Sequence, residues 1–388
     1  MSHMVAAWET FRGVVAESGE PMARIVILTE GHTNPHTGKT AAGVIRYRRP
    51  EVVAVLDKTQ AGRRASELLG VGDDVPIVGS LDDVPDADTL LIGIAPPGGK
   101  VPEAWRPIIL QALERGMHLV SGLHDFLSND EEFARVAREH GATIYDVRKN
   151  REKTIARRRG IRPDCLRVHT VGHDCSVGKM LAAVEITRGL KQRGVDAKFI
   201  ATGQTGIMIE GDGAPIDCVV ADFVSGAVEK LILEHQHHEV LVIEGQGSLV
   251  HPSYSGVTLA LLHGCLPHAL VLCYEVGRTR VTGVEHVPIP PLAEIKRLNE
   301  TMAGIFMPTR VIAVAMNSSK VSAEEAERER RHVRATLGVP VCDVVRHGPD
   351  ELVQAVLTFR DTVPWRCWGV QAALPPEPTA ATPIDPRD

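Results

Sequence analysis

The chain has 388 residues, 44% hydrophobic and 24% charged, which fits a soluble globular protein of two or three domains. A formal net charge of −6 and an aromatic content of 4% argue against nucleic acid, membrane surfaces and single-strand stacking platforms as partners. No apolar run reaches membrane-span length and no signal peptide is visible. The seven scattered cysteines, with no Cys-x-x-Cys pair, indicate reduced thiols in a cytoplasm rather than disulfides or structural zinc.

Met1-Ser2-His3-Met4 reads as a cloning remnant. Residues 23–150 form a first α/β unit, expected to be Rossmann-like. Arg24–Leu28 and Val52–Leu56 are short apolar runs of the buried parallel-strand type, and Asp57 closes the second. Ile77-Val78, Thr89–Ile94 and His118–Val120 continue the series, with helical patterns at Trp105–Arg115 and Asn129–His140. Strands alternating with helices predict a parallel, doubly wound sheet. Gly38-Lys39-Thr40 has phosphate-loop chemistry, but six residues separate Gly31 from Gly38. A structural or substrate-facing loop is the better reading. Ala95–Lys100 and Ser121–Phe126 follow strands, where open α/β sheets place ligands.

A basic linker at 151–165, overlapping the run Arg148–Arg162, is expected to be solvated or an interface helix. Residues 166–371 form a second α/β unit, and 372–388 a Pro- and Ala-rich tail expected to be disordered. Strands are predicted at Ala197–Ala201, Val240–Ile243, Ala269–Leu272 and Arg310–Ala315. Ser322-x-x-Glu325 is a capping-box signal for a charged helix to Thr336. The histidines at 235, 237 and 238 read as a solvated helix end.

Val168 to Met180 is the most informative stretch. A strand enters a loop, Gly172-His173-Asp174-Cys175-Ser176-Val177-Gly178-Lys179, that opens a helix from Lys179 to Leu190. This points backbone N–H groups and a helix N-terminus at an anion, with the lysine as a mobile cation. Five residues separate the glycines where the usual phosphate loop has four. Met180 stands where a Ser or Thr normally ligates Mg²⁺. The loop is expected to hold polyphosphate and need not hydrolyse ATP. Val242-Ile243-Glu244-Gly245-Gln246-Gly247 places an acid at a strand end, as in a Walker-B position, able to hold a metal, orient water or take a proton. Ser248, His251, Ser253 and Tyr254 follow, and spacing does not choose among them. Ala201–Gly206, with Gln204 and Thr205, ends another strand facing the same cleft, and Asp217, Asp222 and Ser225 lie on the next segment. Asn317 suits an adenine edge or an ordinary turn equally.

Gly172-His173-Asp174-x-x-Val177-Gly178-Lys179 and Glu244-Gly245-x-Gly247 together resemble the dethiobiotin synthetase type of phosphate-loop domain. More closely, residues 24–360 resemble the two-domain family of unknown function numbered 1611. The match rests on Lys39-Thr40-Ala41 with Arg46-Tyr47, Ser121–Leu127, Asp146-Val147-Arg148, Asp174-Cys175, Glu244–Pro252 and Tyr254–Thr258. That resemblance implies a Rossmann-like domain followed by a P-loop NTPase-like domain. It also implies an activity similar to D-glutamate N-acetyltransferase, with acetyl-CoA as donor and an amino-acid amine as acceptor.

On that reading the active site lies in the cleft between the domains. Residues 174–180 and Gly172 hold the cofactor phosphates, with Lys179 also counted as catalytic. Glu244, or His251 in its place, takes the amine proton. Gln246, Ser248 and Tyr254 position the acyl carbonyl or a substrate carboxylate, and Lys39 and Arg46 reach an anionic substrate. The alternative is an ATP- and Mg²⁺-dependent ligase or kinase, in which Glu244, with Asp174 or Asp222, supplies the metal ligation that Met180 cannot. A third reading is a nucleotide-sensing regulator. Partners are limited to a small-molecule substrate and a homo-oligomeric copy.

Overall fold

The computed structural model describes residues 23–94 and 99–367; Met1–Met4, positions 95–98 of the Ala95–Lys100 loop and the tail from 372 lie outside the described residues. The chain forms two compact units. One holds the described residues up to Arg151 together with Gly203–Cys218, and the other holds Glu152–Thr202 and the described residues from Val219 onward.

The first unit is a six-stranded sheet of β1 (Ile25–Leu28), β2 (Val52–Leu56), β3 (Ile77–Val78), β4 (Thr89–Ile92), β5 (His118–Ser121) and β6 (Ile144–Asp146). Their spatial order is β3-β2-β1-β4-β5-β6, parallel throughout. Every residue of β1 and β4 is buried, because helices cover both faces; the one polar member, Thr89, donates its hydroxyl to Asp88 at 2.7 Å. The order reverses between β1 and β4, the Rossmann arrangement. The helices are α1 (Lys39–Tyr47), α2 (Ala65–Leu69), α3 (Arg106–Glu114) and α4 (Glu131–Glu139). Gly38-Lys39-Thr40 opens α1, with Gly38 at its N-cap in an ordinary negative-φ conformation and Lys39 as its first residue. Asp57 is buried at the end of β2, and its carboxylate is consumed by hydroxyls of Thr33 and Thr59 and the Thr59 N–H. A helix over Gln204–Glu210 completes this unit. Met208 enters its core, Thr205 Oγ1 lies 3.0 Å from Thr40 Oγ1, and the Met208 carbonyl accepts from the buried Arg48 at 2.9 Å.

The second unit contains β7 (Leu166–Gly172), α5 (Lys179–Gln192), β8 (Ala197–Ile200), α7 (Ala221–His235), β9 (Val240–Ile243), α8 (Ser255–Cys265), β10 (Ala269–Glu275), α9 (Leu292–Gly304), β11 (Arg310–Asn317), α10 (Ala323–Leu337), β12 (Val341–Cys342), α11 (Val344–His347) and α12 (Asp350–Thr362), with Gln204–Glu210 taking the label α6. Its sheet order is β12-β11-β10-β7-β9-β8, again all parallel. β7 sits centrally between β9 and β10, so the loops after these strands share one carboxyl edge. β10 runs to Glu275, past the apolar stretch that the sequence marks, because Arg278 and Lys320 pair with that carboxylate. Ser322 caps α10 by accepting the Glu325 N–H at 3.2 Å. Among the described residues no helix is long and apolar enough to cross a membrane.

The segment after Arg151 is neither a helix nor freely solvated. It is an extended strap on α7: the N–H groups of Arg157 and Arg158 donate to the buried Glu229 carboxylate at 2.8 Å each, and Lys230 pairs with Glu152 at 3.2 Å. A Cβ on Gly226 would lie 1.9 Å from the Thr154 carbonyl oxygen, so only glycine allows the strap to seat. Gly226→Ala is expected to destabilise the second unit by about 1–3 kcal/mol, the cost of overpacking, read as a lowered midpoint in urea unfolding.

Candidate active site

The loop after β7 combines Ser176 at φ +54° and Gly178 at φ +101°. Such left-handed steps turn successive N–H groups toward one concavity, a nest for an anion. Helix α5 then starts at Lys179 with no side-chain cap at Gly178, leaving its first-turn donors for a ligand. The Lys179 side chain is buried and crosses the loop, its Nζ donating to the Asp174 carbonyl at 2.8 Å. Burial pushes its pKa below the usual lysine value, with Asp174 and Glu244 among the opposing charges. Two glycines make room for it. A Cβ on Gly172 would sit 3.0 Å from Nζ, and one on Gly245 would sit 3.0 Å from Cδ and only 1.7 Å from the Thr170 carbonyl oxygen.

Asp174 is fully buried and its carboxylate is a scaffold. One oxygen accepts from Thr282 N at 3.0 Å, Thr282 Oγ1 at 2.7 Å and Arg278 Nη1 at 2.9 Å, and the other from Cys175 N at 2.7 Å. Burial alone would raise its pKa, but these donors hold it below the usual carboxylate value. Arg278 also donates to the Cys175 carbonyl at 2.7 Å and pairs with Glu275, so the loop after β10 clamps the phosphate loop. Sequence reading missed Glu275, Arg278 and Thr282. The faint signal was another strand end followed by Gly277 and a cation.

Glu244 is buried at the end of β9, its Oε2 accepting the Thr202 N–H at 2.9 Å. Gln246 donates to Thr202 Oγ1 at 3.3 Å. His251 Nδ1 accepts the Ser253 N–H at 3.1 Å, so Nε2 carries the proton and donates to the Thr282 carbonyl at 3.2 Å. Both ring nitrogens of His251, expected as an alternative base to Glu244, are engaged by these bonds. Asp174, Cys175 and His251 offer donor atoms within 4.8 Å of one another, the grouping nearest to a metal set among the described residues. The hydrogen bonds just given already occupy the Asp174 and His251 atoms.

Ser248 is fully buried, its hydroxyl accepting from Val250 N at 3.4 Å. Tyr254 is half exposed, with its ring 4.4 Å from that of His251. Asn317 Oδ1 accepts the Ser319 N–H at 3.1 Å, the ordinary turn role. Asp222 is exposed on the first turn of α7, and Ser225 is bonded to the Ala260 carbonyl. In the first unit Lys39 and Arg46 are exposed on α1, while Gln204 and Thr205 are bonded to Arg148 and Thr40. On the other flank of the loop, His173 and Arg278 line a cavity of about 630 Å³ that also includes Tyr274, Pro291 and Glu329.

The chain belongs to the DUF1611 family. Its Rossmann-like N-terminal model matches residues 58–150, and its P-loop C-terminal model matches 152–353. The chain is 40% identical over 268 residues to a protein from Pseudoalteromonas named D-glutamate N-acetyltransferase, covering 69% of this chain and 80% of that one. It is 42% identical over 275 residues to a protein of the same name from Tritonibacter scottomollicae, covering 70% and 81%. A crystal structure of a DUF1611 protein from Anabaena variabilis superposes with a TM-score of 0.82 at 40% identity, covering 87% of this chain and 99% of that one.

Proposed function

We propose that this protein is an acetyl-CoA-dependent N-acetyltransferase that acts on the amine of an acidic amino acid, D-glutamate or a close analogue. The activity class rests on the two relatives bearing that name. The observation that carries the cofactor assignment is an anion cradle whose metal ligands are missing or already engaged. Met180 replaces the hydroxyl that binds Mg²⁺ in ATP-using loops. Both Asp174 oxygens and one Glu244 oxygen are already hydrogen-bonded to the protein. Such a loop suits the phosphates of CoA, which need charge neutralisation but no phosphoryl transfer.

In this reading the N–H groups from Ser176 to Lys179 and the Lys179 ammonium bind the CoA phosphates. Glu244 is the base of a direct transfer, taking the proton from the amine as it attacks the thioester carbonyl. Gln246 and Tyr254 orient the acceptor. The test is mass spectrometry of the full chain with acetyl-CoA and a panel of D- and L-amino acids, run with and without ATP and Mg²⁺. An acetylated acidic amino acid with stoichiometric free CoA, unchanged by chelation of Mg²⁺, is expected. ADP formation coupled to a ligated or phosphorylated product would overturn the reading in favour of a ligase or kinase.

A further inference from the structure

The cavity beside the phosphate loop has no part in the acetyl transfer itself. It lies wholly within the second unit and holds about 630 Å³, inside the range of roughly 300–1,000 Å³ typical of small-ligand sites. Helix α10 forms one wall. Glu325, Arg328, Glu329 and His332 line it, at the spacing that puts side chains on one helix face. Ile289 to Leu292, leading into α9, add an apolar wall that includes two prolines. The end of β10 supplies Tyr274 and Val276, and the phosphate loop itself supplies His173.

This lining suits a flat base that carries an amino group. Glu325 and Glu329 offer carboxylate oxygens to an exocyclic amine, and the proline wall offers a face to the ring. Burial pushes the His173 pKa down to about 4, so the neutral imidazole presents one donor and one acceptor. Among the described residues neither nitrogen has a hydrogen-bond partner. The ring packs edge-on against Tyr274, with centroids 6.0 Å apart, so turning it toward an occupant breaks no hydrogen bond. A buried polar group without a partner costs stability until a ligand supplies one. Adenine, with ring-nitrogen acceptors and an amino donor along its edge, offers both kinds of partner.

We infer that this cavity takes the adenine of CoA, with Arg328 and His332 on the α10 face receiving the phosphate on its ribose. The inference rests on the acetyltransferase reading and fixes the direction in which the cofactor lies. β7 stands between β10 and β9, with neighbouring strands about 4.8 Å apart. With the pyrophosphate on the loop after β7, the adenosine runs to the β10 flank. The thioester then runs to the β9 flank, where Glu244 takes the amine proton. Arg328 is exposed and pairs with the exposed Glu324 at 2.7 Å. Such a surface pair contributes little and exchanges readily for a charge-assisted bond to phosphate. The α10 face is thus where CoA is distinguished from ADP, which lacks the ribose phosphate.

The test is photo-crosslinking of the full chain with CoA bearing an azide on its adenine, followed by peptide mass spectrometry. Adducts within 274–292 or 325–332, suppressed by unlabelled CoA, are expected. Titration calorimetry gives a second readout. Arg328→Ala should bind CoA about tenfold more weakly, yet bind dephospho-CoA, which lacks the ribose phosphate, as the wild type does. Adducts confined to other segments, in protein that still binds CoA and acetylates an amine, would overturn the inference and leave the acetyltransferase reading intact. Unchanged CoA affinity in Arg328→Ala would overturn the phosphate contact. A chain that binds neither CoA nor acetyl-CoA would remove both the inference and the reading beneath it. Crosslinking is read on the wild-type chain, so it decides the matter even if the variant folds poorly.

Discussion

Lys179→Ala is expected to cost about 10²–10³-fold in kcat/KM and to weaken CoA binding by a similar factor, while the protein stays folded. The lysine is buried, its pKa is depressed by burial, and its one short hydrogen bond is to a carbonyl, not a carboxylate. A cation kept in that setting destabilises the free protein relative to an exposed lysine. Its return comes when an anion enters the nest and Nζ swings from the Asp174 carbonyl to a phosphate oxygen. Loss of affinity should therefore arrive without loss of stability, with the melting temperature within a few degrees of wild type. Lys179→Arg should not rescue function, because the close walls at Gly172 and Gly245 admit a slim chain and not a planar fork. Calorimetric titration of CoA, read beside the melt, checks the pair of statements. Undiminished CoA affinity in the alanine variant would remove the phosphate loop from the mechanism.

The sequence disclosed what neighbouring residues decide. β1 and β9 announce themselves because strands buried on both faces tend to be uninterrupted apolar runs. The phosphate loop is legible because left-handed turns need glycine and the cation lies a few residues further on. Distant partnerships left no such trace. Arg278 and Thr282 meet Asp174 more than a hundred positions away, and nothing local marks either as part of the loop. Gly245 and Gly226 were visible as glycines, but the Thr170 and Thr154 carbonyls that require them appear only in space. His251 has the right side chain for a base, and only its two hydrogen bonds show that the ring is spoken for. The polar segment Gly203–Cys218 follows β8 without interruption, yet it packs with the first unit, which brings Cys218 to His124.

Acid should undo the second unit well before its carboxylates titrate. His169, His173 and His268 all lie in that unit and are at most 2% exposed. Burial pushes His169 and His173 down to about 4, and His268 well below its ordinary 6.5. The hydrogen bonds agree with neutral rings. His169 Nδ1 faces the Ile243 carbonyl at 3.2 Å and His268 Nδ1 accepts the Arg167 N–H at 3.1 Å, while neither nitrogen of His173 has a protein partner. Between pH 6.5 and about 4 the unfolded chain binds protons that the folded unit refuses, so stability rises with pH across that window and is lost as pH falls. Each histidine contributes a slope of roughly 1.4 kcal/mol per pH unit. Asp174 and Glu275 have folded values below 3.8 and 4.5, so their contribution fades only under more acidic conditions. The span from about pH 6.5 to 5 thus isolates the histidines, and three together should remove roughly 5 kcal/mol there, enough to unfold many domains. Urea unfolding followed by circular dichroism at about pH 7.5, 6.5, 5.8 and 5.0 measures the slope. His169→Gln should flatten it by about one third, because one of the three proton-refusing sites is gone. A free energy that stays level from about pH 7.5 to 5.0 would mean that at least part of this trio is solvated or charged in the folded protein.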